Sequence, residues 1–360
     1  MTQDDHYYGL ILAGGRGTRF WPRSRRTHAK QVLQFTGERS LIQETVDRLR
    51  PVLPPDKIWI LTNEHLRDEI VRQLPEVPQE QILAEPAQRN TAPAIGLAAE
   101  IMQSLDPDSV MGVFPADHLI AKPERYLDFV RPAFEAASQG KIVVLGIQPR
   151  WVETGYGYIE FPKDVAAGGS APLLVSRFHE KPDTERAESY FQAGNYYWNA
   201  GMFFWRTSVL LGALRDFLPK TATLLASLPG FRDPQFQLRV KESFPLTENI
   251  SIDYAVLEKA KEIAGFAVDD IGWSDVGSWN AVYELLPRDA EGNVSRSESL
   301  TIDSSGNYID AQGKLVAMLG VSNLIVVDTP DALLIADRSR AQEVGKLVRR
   351  LEAEKRDGLL

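Results

Sequence analysis

The chain has 360 residues, 44% hydrophobic and 25% charged, with a formal net charge of -9, a balance that excludes wholesale disorder and leaves ample material for a core. The acidic charge argues against nucleic-acid or membrane-surface binding through bulk positive potential. The lack of cysteine rules out disulfides, thiolate metal sites and cysteine nucleophiles. There is no run of eighteen apolar residues and no basic-then-apolar leader, so the cytoplasm is the expected compartment.

The first half alternates strands and helices. Residues 8–13 form a short apolar run that stops at Gly14 and Gly15, the pattern of a buried strand. Helical spacing follows over 41–52, then a strand at 58–61, a helix at 66–74, a strand at 82–84 and a helix at 92–105. A strand at 110–114, a helix at 126–138 and a strand at 142–145 complete the series. Such alternation predicts right-handed crossovers and a mixed, mostly parallel sheet of Rossmann-like α/β type, with ligands at the carboxyl ends of its strands. From 156 the rhythm changes. Residues 158–161, 174–180 and 198–206 read as an antiparallel excursion, with helices at 209–217 and 254–263. After residue 287, short alternating runs separated by turn signals predict a small C-terminal β-helix-like domain. It closes with a helix whose apolar face is Val344, Leu347, Val348 and Leu351. The expected division is therefore 1–287 for the catalytic domain and 288–360 for the appendage. Without a low-complexity linker between them, the two should pack together. The last helix can cover its own domain or a second subunit, and a homodimer is the expectation.

Three motifs carry chemistry. The stretch 12–25 reads LAGGRGTRFWPRSR, and no acidic residue occurs between His6 and Gly37. Glycines let backbone N–H groups approach phosphate oxygens, and arginines add forked, charge-assisted contacts. Arg16, Arg19, Arg23, Arg25, Arg26 and Lys30 lack any local counter-charge, so the segment reads as a polyphosphate cradle. It is not a dinucleotide fingerprint, because Arg19 follows Thr18 where a third glycine belongs, nor a P-loop, which needs Gly-Lys-Ser/Thr. The second motif is PADH at 115–118, ending a strand, where Asp117 can hold Mg²⁺ or cap a helix. The third is IGWSDVGSW at 271–279, in which Asp275 needs a partner if buried. One cation between Asp117 and Asp275 explains both, if the fold brings them together. His118 reads as a structural hydrogen bonder, since an already ionised phosphate needs no base. Trp198, Trp273 and Trp279 read as core.

Residues 12–31 resemble the signature of nucleotide-sugar pyrophosphorylases. Segments 85–94 (EPAQRNTAPA), 115–118, 153–160 (ETGYGYIE), 178–182 (FHEKP), 198–202 (WNAGM), 251–256 (SIDYAV) and 272–279 are similar to the mannose-1-phosphate guanylyltransferase branch. The resemblance implies that Ala13, Gly14, Gly15, Arg16, Gly17, Thr18 and Arg19 line the nucleotide phosphates, and that Lys30 binds phosphate in the transition state. It implies further that Glu85, Asn90, Thr91 and Ala92 face guanine, and that Gly157, Glu180 and Asn199 bind the mannosyl hydroxyls. Asp117 and Asp275 would hold Mg²⁺. Glu180 can instead pair with Lys181 or Arg177, and Asn199 can simply satisfy a turn. Members usually carry proline before the lysine; here Ala29 stands there. The longer members' C-terminal isomerase module is not expected, nor is isomerase activity.

The implied reaction is in-line attack by the phosphate of mannose 1-phosphate on the α-phosphorus of GTP, releasing pyrophosphate. Arg16, Arg19, Lys30, Asp117 and Asp275 are the expected catalytic set. Another base or sugar 1-phosphate, or a non-catalytic nucleotide-sugar sensor, are the alternatives; a sensor would be marked by loss of Lys30, Asp117 or Asp275, and all three are present.

Overall fold

The computed structural model describes residues 3–360. In chain order the first half contains β1 (Tyr7–Ala13), α1 (Leu41–Leu49), β2 (Ile58–Asn63), α2 (Arg67–Gln73), β3 (Ile82–Glu85), α3 (Thr91–Leu105) and β4 (Val110–Pro115). Then follow β5 (Leu119–Ile120), α4 (Pro123–Ser138) and β6 (Ile142–Ile147). The strands of this series come where the apolar runs place them. α1 begins at Ser40, whose hydroxyl and the Gln43 side chain each bond the other's backbone N–H, the reciprocal cap that a helix start favours. α4 opens with Pro123 at its first position, where the missing N–H costs nothing.

The middle of the chain adds β7 (Tyr158–Glu160), β8 (Leu173–Leu174), β9 (Arg177–His179), α5 (Thr184–Ala193), β10 (Tyr196–Arg206), α6 (Thr207–Phe217), α7 (Pro219–Ala226) and α8 (Phe236–Ser243). β11 (Ile263–Val268), β12 (Trp273–Ser274) and α9 (Trp279–Leu285) follow. The main sheet runs β3-β2-β1-β4-β10-β6-β11-β8, with β7 and β9 joined to it through β10. β1, β2, β3 and β4 are mutually parallel, as are β6 and β11, whereas β10 is antiparallel to both β4 and β6. The sheet is thus mixed and mostly parallel, covered on both faces by core clusters.

Two expectations are corrected here. The segment 198–206 belongs to no separate excursion: β10 is inserted in the middle of the main sheet, because most side chains along it, including Trp198, Phe204 and Trp205, are buried. The stretch 254–263 is not one helix; it is a single wide turn over Asp253–Leu257, and Ile263 opens β11, which is buried throughout. A continuous apolar run carries no period that separates a buried strand from a buried helix.

The tail holds β13 (Val294–Ser295), β14 (Ser299–Ile302), β15 (Tyr308–Asp310), β16 (Val316–Leu319), β17 (Leu324–Asp328), β18 (Leu333–Asp337) and α10 (Gly345–Ala353). β13, β15 and β17 stack in parallel, as do β14 and β16, the geometry of short β-helical coils. Buried Asn293 and Asn307 form an internal ladder between coils: the Asn293 side-chain oxygen accepts from the Asn307 backbone, and the Asn307 oxygen accepts from Leu324 N–H. This tail shares a core with the start of the chain and with α9, where Phe20, Trp21, Phe35 and Trp279 pack with Tyr308, Ile325, Val327, Val344 and Val348. The two parts do pack together. Leu347, expected on the apolar face of α10, is instead 43% exposed.

Candidate active site

The carboxyl ends of β1, β3 and β4 open into a cleft of about 1170 Å³. Its roof is the glycine loop after β1. Gly17 is in the left-handed region (φ 59°), and a Cβ there would lie 2.5 Å from Lys30 Cβ, so only glycine lets the loop press against the lysine. The Gln31 amide donates to the carbonyls of Ala13 (2.6 Å) and Gly15 (2.9 Å), and Thr62 Oγ1 donates to Ala13 as well. With those carbonyls tied down, the loop's shape is fixed from behind.

Lys30 is the hub. Buried in the cleft wall, its ammonium donates to Asp117 Oδ2 at 2.9 Å and to the backbone carbonyl of Asp275. The structure therefore brings together three residues separated by up to 245 positions. Burial is the largest single influence and pushes the Asp117 carboxyl up, but the Lys30 ammonium, His118 and the hydrogen bonds to the carboxylate together leave the group below the usual carboxylate range. His118 goes the other way: burial drops its imidazole to about 4, so it is neutral at pH 7. Its Nδ1 accepts from the Trp273 indole at 3.2 Å, the structural role expected of it. Tyr156 stands beside Asp275, and burial, then the Asp275 carboxylate, hold its hydroxyl protonated.

Glu85 lies where β3 ends, and burial raises its carboxyl to about 7. Asn90 and Thr91 also line the cleft. Ala92 does not: it is fully buried, and its N–H donates to Ile250, so its expected contact with a base is overturned. Thr91 is tied to the same crossing segment through Oγ1, which accepts from Ile252 N–H at 2.9 Å. One residue further along the helix, the chain has turned into the core.

Gly157, Glu180 and Asn199 meet at the opposite end of the cleft. A side chain on Gly157 would collide with the Glu180 carboxylate. Glu180 accepts from Lys181 at 2.7 Å, and Asn199 donates to Asp253 Oδ1 at 2.9 Å. Asp253 is raised to about 6 by burial and then by the Glu180 charge.

One reading of the sequence does not survive. The six cations are uncompensated only locally. Arg23 pairs with Asp310, Arg25 with Asp331 at 2.9 Å, Arg26 with Asp357 at 3.0 Å and Arg16 with Glu352 at 2.5 Å, while Arg19 donates to Gln342. Arg23, Arg25 and Arg26 lie off the main cleft and fasten the C-terminal coils to the loop. Arg16, Arg19 and Lys30 remain in it. Sequence reasoning assigned no role to Gln31, Tyr156 or Asp253, although each sits in or next to a motif singled out, nor to the cleft-lining face of α10, which presents Gly345, Val348, Arg349 and Glu352.

The nucleotidyl transferase family profile matches residues 8–292, and that of the MannoseP isomerase/GMP-like beta-helix domain matches 297–351. The chain is 38% identical to mannose-1-phosphate guanylyltransferase 2 of Escherichia coli O157:H7, over 96% of its own length and 74% of that protein. It is 40% identical to the mannose-1-phosphate guanylyltransferase of Klebsiella pneumoniae, with the same coverage. A crystal structure from Thermus thermophilus, described as a mannose-1-phosphate geranyltransferase, superposes with a TM-score of 0.84 at 31% identity, covering 96% of this chain and 99% of that one. The chain therefore belongs to the nucleotidyl transferase family, alongside the mannose-1-phosphate guanylyltransferases.

Proposed function

We propose that the protein transfers a guanylyl group from GTP to α-D-mannose 1-phosphate, giving GDP-mannose and pyrophosphate. The observation that carries this reading is the meeting of Lys30, Asp117 and Asp275 beneath the glycine loop, in a chain similar along nearly its whole length to guanylyltransferases. Two anions must approach each other in this reaction, and their repulsion is the barrier the protein has to offset. Loop N–H groups of Gly14–Thr18 and the Arg16 and Arg19 guanidinium groups would receive the polyphosphate. Lys30 would stabilise charge as it builds on the reacting phosphate. Glu85 would accept from the two N–H donors on the Watson–Crick edge of guanine, with Asn90 and Thr91 beside it. Glu180, Asn199 and Asp253 would take sugar hydroxyls.

The donor set fits Mg²⁺. Among the described residues no cluster of three or more metal-ligating side chains occurs, but Asp117 and Asp275 both line the cleft, and a pair of carboxylates at a phosphate site is what this ion uses when the substrate supplies the rest of its shell. When bound there, it would supply positive charge to phosphate oxygens. A homodimer is part of the same reading: Leu300, Ile302 and Leu319 on the paired strands β14 and β16 are each more than half exposed, an apolar patch suited to a second copy. Among the described residues no helix is long and apolar enough to cross a membrane.

Pyrophosphate release, measured with each of the common nucleoside triphosphates against mannose and glucose 1-phosphates, tests base, sugar and reaction together. GTP with mannose 1-phosphate should lead by at least an order of magnitude. Preference for another pair would replace the substrates, and binding without release in every combination would make the protein a sensor.

A further inference from the structure

α10 does more than close the tail. Gly345, Val348, Arg349 and Glu352 all line the cleft, and their spacing of three, four and seven places them on one helix face. The helix enters directly over the glycine loop: a Cβ on Gly345 would lie 3.3 Å from Thr18 Oγ1 and 3.9 Å from Arg19 Cγ. Further along the same face, Glu352 reaches Arg16.

Arg349 stands on this face without a counter-charge. An arginine can pair with a glutamate three residues later on a helix surface, but Glu352 is taken by Arg16. The other two cations within α10 are paired, Lys346 with Glu343 and Arg350 with Glu354. Among the described residues Arg349 has no hydrogen-bond or ion-pair partner. An unpaired guanidinium lining the cleft beside the glycine loop, in a chain of net charge -9, is placed to receive an anion.

We propose that Arg349 binds the pyrophosphate end of the nucleotide, so that the C-terminal segment supplies a substrate contact to the transferase cleft. This rests on the nucleotidyl-transfer reading above. Lys30 lies in the floor, with 7% of its side chain exposed, and Arg16 lies at the rim with 42% exposed. A triphosphate whose α-phosphate sits near Lys30 extends its β- and γ-phosphates toward the rim, where Arg16 and Arg349 stand. Forked guanidinium donors match phosphate oxygens in a way the lysine ammonium does not.

The test compares wild type with Arg349→Ala, Arg349→Lys and, as control, Arg350→Ala on the outer face of the same helix. Forward kinetics varies GTP, reverse kinetics varies pyrophosphate, and calorimetry measures binding of GDP-mannose and of tripolyphosphate. Arg349→Ala should raise KM for GTP and for pyrophosphate roughly tenfold, the scale of a hydrogen bond to a charged group. It should change kcat much less, weaken tripolyphosphate to the same extent and leave GDP-mannose affinity as it was. Arg349→Lys should recover part of the loss, and Arg350→Ala should behave as wild type. Arg349→Ala matching Arg350→Ala in every assay would overturn the assignment, as would an equal loss of GDP-mannose binding. If wild type shows no turnover, the transferase reading fails by itself, and tripolyphosphate titration still decides Arg349.

Discussion

Lys30 has two tasks. Its ammonium holds Asp117 ionised and touches the Asp275 carbonyl, and in the proposed reaction it meets developing negative charge. Lys30→Ala should lower kcat by roughly two to three decades, the scale of one electrostatic contact realised in the transition state; a steady-state assay showing an unchanged rate would remove it from the mechanism. Glu85 makes a pH prediction. Its folded carboxyl titrates at about 7 because it is buried, well above an ordinary glutamate. Below that pH the group is protonated and, in the proposed reading, has lost an acceptor for guanine. kcat/KM for GTP should therefore climb from pH 6 to pH 8 with an inflection near 7, and Glu85→Gln should lose that inflection. The stability sign is opposite. A raised folded value means stability is complete below the unfolded value and is lost as pH rises through the folded one. Glu85→Gln should thus melt higher than wild type at about pH 8 and close to it at about pH 4, as read by thermal scans.

At the scale of elements, the turn before Lys30 is already shaped for the residue it lacks. Ala29 has φ -78°, within the range a proline ring imposes, and its N–H makes no hydrogen bond among the described residues. Ala29→Pro should stabilise by about 0.4–1 kcal/mol through the unfolded chain while leaving turnover intact; a lower melting temperature would mean that the buried site has no room for the ring. α10 and the glycine loop form the other coupled pair. Glu352 occupies Arg16, a guanidinium that the proposed reading also gives to the nucleotide, so Glu352→Gln should lower KM for GTP severalfold. A raised KM would show instead that the carboxylate orients Arg16 for the ligand.

For the molecule as a whole, the joint between the transferase sheet and the coils is both apolar and ionic. Trp279 stacks near Tyr308, with ring centroids 5.5 Å apart, inside the shared core, and Arg23 pairs there with Asp310, whose side chain is only 3% exposed. Removing the charge of Asp310 leaves Arg23, a quarter exposed, uncompensated, at a cost below the ~3–5 kcal/mol of a fully buried pair. Asp310→Asn should lower the melting temperature of the entire protein, since the core is common to both parts; a separate early transition confined to the tail would show that they unfold independently.

The sequence by itself determined the alternating sheet, the glycine loop, the two aspartate motifs and the β-helical tail, because each is written in short-range periodicity, turn chemistry and residue type. Glu180 and Asn199, assigned to the sugar through the family resemblance, line the cleft, whereas Ala92, assigned to the base in the same way, is buried behind it. Strand β10 and the cation loop are where the sequence fell short. Whether an apolar run enters a sheet centrally depends on which strands are waiting for it, and whether an arginine is free depends on which acids arrive from elsewhere. Arg16 meets Glu352 across 336 residues, and no local pattern encodes that meeting. Only the tertiary structure could divide six apparently equivalent cations into three that face the cleft and three that fasten the tail, because Coulomb energy follows distance in space and not along the chain.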